Sequence, residues 1–172
     1  MICGIDIGST GAVALLDDHG ELLDVRDMPC LNDGPAGRRA VNPRLLADVF
    51  LDFSVRDPLH WKGRTAFVEH VASRPGEGVV SAFAFGRSRG VVEGVLGTLL
   101  IPYTLITPKV WKGIIGIPPG KEGAKEAARS LAIRRWPDKA QLFRRVLDHN
   151  RAEAALIGFA GLRMTERARE PA

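Results

Sequence analysis

The sequence predicts an α/β domain in which a mixed sheet is covered by helices, and three observations carry that expectation. Short apolar runs with turn signals between them fill the first 28 residues. Segments of helical period dominate from residue 43 onward, and a β-branched run, Thr65 to Val71, interrupts them. The chain has 172 residues, 45% hydrophobic and 26% charged, as an ordinary globular domain has. One domain over residues 1–165, followed by a disordered tail at 166–172, is the expected organisation.

Cys3 to Ile7 reads as a first strand interrupted by Asp6, with Gly8-Ser9-Thr10-Gly11 as a turn and Ala12 to Leu16 as a second strand. Asp18-His19-Gly20 is a hairpin turn before a third strand, Glu21 to Met28, completing an antiparallel meander. Pro, Gly, Asn and Arg fill residues 29–42, which predicts a mobile loop. Leu45, Leu46, Val49, Phe50 and Phe53 then have helical period, with Asn42 as N-cap, Pro43 at the first helical position and an end before Pro58. Thr65 to Val71 is a central strand that carries Glu69 near its end. Helical spacing returns over 78–100, where Gly86, Gly90, Gly94 and Gly97 permit close approach of a neighbour. Tyr103 to Ile106 is the fifth strand, and helices follow over 109–115, 121–135 and 150–165.

Two cysteines, Cys3 and Cys30, supply neither a disulfide framework nor a zinc spacing, which favours a reducing, cytoplasmic setting. No apolar run approaches the roughly 18 residues that span a bilayer, and the chain begins on a strand rather than a signal segment, so no membrane partner is expected. The net charge of +4 is unevenly placed: residues 109–151 carry eleven Lys or Arg against four Asp or Glu, and the remainder sums to −3. Such a basic segment is either a solvated face or a grip for a polyanion.

A carboxylate inside an apolar strand is costly unless it is paired or binds a metal, and this holds for both Asp6 and Glu69. If their strands are parallel neighbours, both groups emerge at one edge, where they must share a proton or hold a cation. The run Asp148-His149-Asn150-Arg151-Ala152-Glu153 opens the last helix, with Asn150 and Glu153 at capping-box spacing. Oxygen-only carboxylate ligands suit magnesium or manganese. Lys112, Lys121, Lys125 and Arg129 supply phosphate-binding charge nearby, and Lys121 and Lys125 are spaced to share a helical face. Trp61, Trp111 and Trp136 are either base-stacking platforms or core residues. The glycines around Asp6 precede a strand, not a helix, and no phosphate loop is present, so no nucleotide cofactor is expected. Actin-like ATPases and sugar kinases share the Asp-x-Gly-Ser-Thr-Gly turn, but they need a second lobe for which 172 residues leave no room.

Taken together, these segments resemble the RuvC family of Holliday junction resolvases, of the ribonuclease H-like superfamily. Gly4-Ile5-Asp6-Ile7-Gly8-Ser9 is similar to the family's first-strand motif, and Val68-Glu69-His70 with Phe85-Gly86-Arg87-Ser88-Arg89-Gly90 to its strand-acid and interface-helix segment. Lys109-Val110-Trp111-Lys112 through Gly116-Ile117, then Lys121 and Lys125, is similar to its basic region, and Asp148 to Ala154 to the variant of phage and prophage enzymes. The resemblance spans residues 1–163.

It implies a five-stranded sheet in the order 3-2-1-4-5 and a homodimer, formed through the helix around 78–97, that acts on four-way or branched DNA in recombination and repair. It also implies a crossover junction endonuclease that nicks paired strands by two-metal hydrolysis and leaves 5′-phosphate ends. The setting would be a bacterial cell or a phage-infected host. Two Mg2+ per site, replaceable by Mn2+, would sit on Asp6, Glu69, Asp148 and Glu153, with His149 as the alternative to Asp148. Lys121, or else Lys112 or Lys125, would neutralise charge at the phosphate, and Arg129, Arg87 and Arg89 would add DNA contacts. Bacterial members carry an acid or His three residues before the last acid, where this chain has Asn150, and an aromatic three residues after the strand acid, where it has Ala72. A broader branched-DNA or flap nuclease, and an inert junction-binding dimer, are the competing readings.

Overall fold

The computed structural model of the chain describes residues 1–34, 37–56, 64–72, 76, 78–118 and 123–169. The elements run β1 (Ile2–Asp6), β2 (Ala12–Leu16), β3 (Leu22–Asp27), β4 (Cys30–Asn32), β5 (Arg39–Val41), α1 (Pro43–Arg56), β6 (Thr65–Glu69) and α2 (Val79–Thr98). β7 (Tyr103–Ile106), α3 (Pro108–Ile115), α4 (Ala124–Arg135) and α5 (His149–Arg169) follow, with short 3₁₀ turns at Pro137–Phe143 and Val146–Asp148 between the last two helices.

Five strands form one sheet in the order β3-β2-β1-β6-β7, which is the expected 3-2-1-4-5 once the two strands of a separate ribbon are set aside. β1 pairs antiparallel with β2, and β2 with β3; β1 and β6, then β6 and β7, are parallel. The short turns of the meander permit antiparallel pairing, whereas α1 and α2 provide the crossovers that parallel neighbours require.

Both faces of the sheet are covered, so its central strands are buried throughout. Alternation along β2 shows the division: Val13 and Leu15 join Phe50, Phe53, Val92 and Leu96 under α1 and α2. Ala12, Ala14 and Leu16 instead join Phe67, Trp111, Trp136 and Leu156 on the side of α3, α4 and α5. Asn42 caps α1 as expected, its side-chain oxygen accepting from the Leu45 amide at 2.9 Å.

α5 lies against β1 more closely than an ordinary side chain allows. A Cβ on Gly4 would stand 2.0 Å from the Ala154 carbonyl oxygen and 2.4 Å from the Gly158 amide nitrogen, so only glycine permits this approach. The contact fixes the first turns of α5, and with them Glu153, beside the strand that ends in Asp6.

Two segments differ from expectation. Residues 29–42, predicted as a mobile loop, contain a paired ribbon in which Cys30 faces Val41, Leu31 faces Ala40 and Asn32 faces Arg39. Its strands have three residues each, too few for an alternating pattern to register, and main-chain bonds at their ends supply the order: Asp33 donates to the Arg38 carbonyl and Asn42 to that of Pro29. The last helix starts at His149 and continues to Arg169, beyond the predicted 150–165. Among the described residues no helix is long and apolar enough to cross a membrane.

Candidate active site

Asp6 is the last residue of β1 and Glu69 the last of β6. Because Ile5 and Val68 are partners in the parallel ladder, both carboxylates leave the sheet at the same carboxyl edge. The turn after Asp6 is shaped for close approach: a Cβ on Gly11 would stand 2.0 Å from the Asp6 carbonyl oxygen, and the Gly11 amide donates to Gly8 at 3.1 Å. Glu153 projects from the start of α5 to complete the cluster, and Lys112 of α3 reaches it at 3.5 Å.

Electrostatics show how crowded these groups are. Burial, followed by the charges of Glu69 and Glu153, drives the Asp6 carboxyl well above its ordinary range, with Lys125 and Lys112 opposing. Burial also raises Glu69, where the Trp111 indole and the Lys112 charge oppose it and Glu153 adds to it. Trp111 is fully buried, and its indole N–H donates to Glu69 Oε1 at 3.0 Å. Lys112 Nζ stands 4.9 Å from the centre of the Trp111 ring, close enough for a cation–π contact. Three carboxylates with few cations between them match the oxygen-donor chemistry of a small divalent ion. Among the described residues no three acidic, histidine or cysteine side chains are already drawn together as a metal cage. Closure on an ion therefore requires side-chain movement.

Asp148 and His149 are placed differently from these three. Asp148 is buried and accepts from the Arg145 guanidinium at 2.7 and 2.9 Å and from the Arg145 amide at 2.7 Å. Burial pushes its carboxyl up, but the Arg145 hydrogen bonds and the charges of Arg145 and Arg151 outweigh this and hold it below the ordinary range. The charge of Asp148 is felt at Asp27, and is not among those acting on Asp6 or Glu69. His149 Nδ1 lies 2.9 Å from the Val146 carbonyl oxygen. The Asn150 amide donates to the Thr10 carbonyl, tying the start of α5 to the turn after Asp6.

The basic residues divide in the same way. Lys125 is exposed, has no ion pair among the described residues, and acts on Asp6. Arg129 is occupied by Glu126 and by the carbonyls of Phe143 and Arg144, clamping α4 to the following 3₁₀ turn. Arg87 pairs with Asp33, and Arg89 bonds Glu93 at 2.7 Å and His70 at 2.9 Å. Lys121 and Trp61 lie outside the described residues. Trp136, like Trp111, is a core residue, its indole donating to the Gly20 carbonyl at 3.0 Å.

The Trp111 contact to Glu69 was missed from sequence, although a buried indole always needs an acceptor for its N–H. The Arg145 clamp was missed too, although Arg145 and Asp148 have the three-residue spacing of a local pair.

The sheet order, with its acidic cluster at the carboxyl edge of the central parallel strands, is that of a ribonuclease H-like fold. Within that class the chain has the fold of RuvC. A structure of T. thermophilus RuvC in complex with a Holliday junction substrate matches it with a TM-score of 0.59 and 16% identity, covering 95% of each chain. A second Thermus thermophilus RuvC structure matches with a TM-score of 0.53 and 17% identity, covering 95% of this chain and 96% of that one. No protein-family model matches the sequence, and no curated protein does.

Proposed function

We propose that this chain is a metal-dependent, structure-selective endonuclease that resolves four-way DNA junctions by paired nicks leaving 5′-phosphate ends. The observation that carries this reading is the convergence of Asp6, Glu69 and Glu153 at one sheet edge, in an environment that disfavours three free negative charges. The likeness in fold to a RuvC structure holding a Holliday junction substrate supports junction DNA as the substrate.

Asp6, Glu69 and Glu153 would hold the divalent cations, Mg2+ with Mn2+ as substitute. Bound there, such ions supply an activated water and charge stabilisation for the leaving 3′ oxygen. Asp6, between the other two acids, is the shared ligand. Glu69 is aimed by Trp111 so that Oε2 stays available. Lys112 holds Glu153 in the absence of metal and is freed toward the phosphate when Glu153 turns to an ion. Lys125, with Lys121, supplies positive charge at the phosphate as negative charge develops. Asp148 fixes the start of α5 through Arg145, and joins the metal shell only if that clamp opens.

Two copies are needed to cut two symmetry-related strands, and an isologous dimer provides that symmetry. The exposed stripe of Gly86, Gly90, Gly94 and Gly97 on α2, where an added Cβ would meet nothing, supports α2 as the place where a second α2 packs.

The test incubates purified protein with labelled four-way, three-way, flap and linear duplex DNA, with magnesium, manganese or chelator. Symmetric nicking of the four-way junction, lost with chelator and in Asp6→Asn, is expected. Equal cutting of flaps would make it a general branch nuclease, and binding without cutting under all conditions would make it an inert junction binder.

A further inference from the structure

The β4–β5 ribbon and the first half of α2 enclose a groove of about 560 Å³ that the metal site does not use. Its floor is Ser9 and Thr10, in the turn after Asp6. Arg38 and Arg39 rise from the ribbon on one side, and Val80 and Phe83 from α2 on the other. The Arg87–Asp33 ion pair ties the two walls together.

Three features define what fits. Arg38 and Arg39 are exposed and have no carboxylate partner among the described residues, so two guanidinium groups are available to an anion. Phe83 is 72% exposed and Val80 61%, an apolar surface set directly across from that charge. A second groove, of about 490 Å³ and lined by Lys125, Arg145 and His149, shares Ser9, Thr10 and Arg39 with the first. The two form a continuous basic track past the turn that follows Asp6.

Guanidinium groups facing an aromatic ring match a chain of phosphates that carries flat bases, and volumes of this order are those of small-ligand clefts, too narrow for a duplex. We infer that the ribbon groove binds a single DNA strand, with phosphates on Arg38 and Arg39 and an unstacked base on Phe83. This rests on the nuclease reading and extends it: a strand leaving the cut site would be held open beside the junction centre.

The test uses the full chain in chelator, so that no strand is cut. Its probes are a four-way junction with 2-aminopurine beside the crossover and a single-stranded oligonucleotide carrying the same base. Stacking is expected to quench 2-aminopurine with the wild type and with Phe83→Trp, but not with Phe83→Ala, which should also bind the single strand about tenfold more weakly. Arg38→Ala with Arg39→Ala should lower the slope of log affinity against log salt by about 1.4, at roughly 0.7 per lost phosphate contact on a single strand. Light scattering follows oligomeric state in parallel. Unchanged quenching and slope would overturn the proposal, and so would Phe83→Ala dissociating a dimer while quenching persists, since the groove would then be covered by a second copy. Cleavage in magnesium separates the two readings: normal junction cutting without quenching removes the groove alone, and quenching without any cutting removes the nuclease alone.

Discussion

The indole N–H of Trp111 donates to Oε1 of Glu69 across a distance of 3.0 Å, from a side chain with no solvent exposure. A buried carboxylate with a like charge nearby is thereby given one fixed donor, so its orientation is set before any cation arrives.

Trp111→Phe keeps most of the packing and removes the donor. Without the indole, which opposes the rise caused by burial, the Glu69 carboxyl titrates higher still. The acid limb of the cleavage pH profile should shift toward alkaline pH, with a stability loss of roughly 1.5–3 kcal/mol in denaturant titration, the range for hydrogen bonds to charged groups. An unmoved acid limb would count against a positioning role.

Asp6→Asn should abolish cleavage and stabilise the metal-free protein at neutral pH. Because the folded-state titration of Asp6 is raised above the unfolded value near 3.8, the native state binds the extra proton as pH rises past that value. Metal-free stability should therefore fall with rising pH, from about 3.8 up through the raised native value. The variant should flatten that slope, as should added divalent ion. Thermal unfolding at several pH values, with and without magnesium, measures both effects.

Asp148→Asn should act in the opposite pH direction. The Asp148 carboxyl is held below its ordinary value, so its stabilising effect is full above the unfolded value and disappears as pH falls through the native one. The variant should melt at lower temperature than wild type at pH 7, with the gap closing in acid. Assayed below its melting point, it should retain more cleavage than Asp6→Asn; an equal loss would assign Asp148 to the metal shell.

Gly4→Ala places a methyl group 2.0 Å from the Ala154 carbonyl oxygen, which must move. Overpacking of this kind costs about 1–3 kcal/mol, and the displacement passes to the neighbouring Glu153. Stability and cleavage should fall together, whereas Gly8→Ala, where an added Cβ meets nothing, should be strained only by its positive φ.

Lys125→Ala should weaken binding of every DNA tested, because Lys125 is a free charge on the track. The salt dependence on duplex arms should lessen by about 0.9, the share of one phosphate contact. Arg129→Ala should instead lower stability, since that guanidinium holds the carbonyls of Phe143 and Arg144.

The meander, the parallel pair and the carboxyl-edge acids were legible in sequence because each rests on a local pattern: alternation in β2, a cap and period in α1, and an acid in each apolar strand. The ribbon was hidden because three-residue strands carry no such pattern, and its order comes from pairing between Cys30–Asn32 and Arg39–Val41. The ambiguity at Asp148-His149-Asn150 could not be resolved locally. Which of three adjacent side chains faces Asp6 depends on the azimuth of α5, and that is set by contact of Ala154 and Gly158 with Gly4 on a distant strand.

The sequence by itself determined the sheet order, through strand patterns and connection lengths, and the two carboxylates that end β1 and β6, because strand register carries both to one edge. Only the tertiary structure decided which other charges join them. Glu153 is brought in and Asp148 is given to Arg145, while Arg87, Arg89 and Arg129 take internal partners and leave Arg38, Arg39 and Lys125 free. Local sequence fixes where a charge lies along the chain, but what it meets across the fold depends on packing, and for a charge that partner is most of its chemistry.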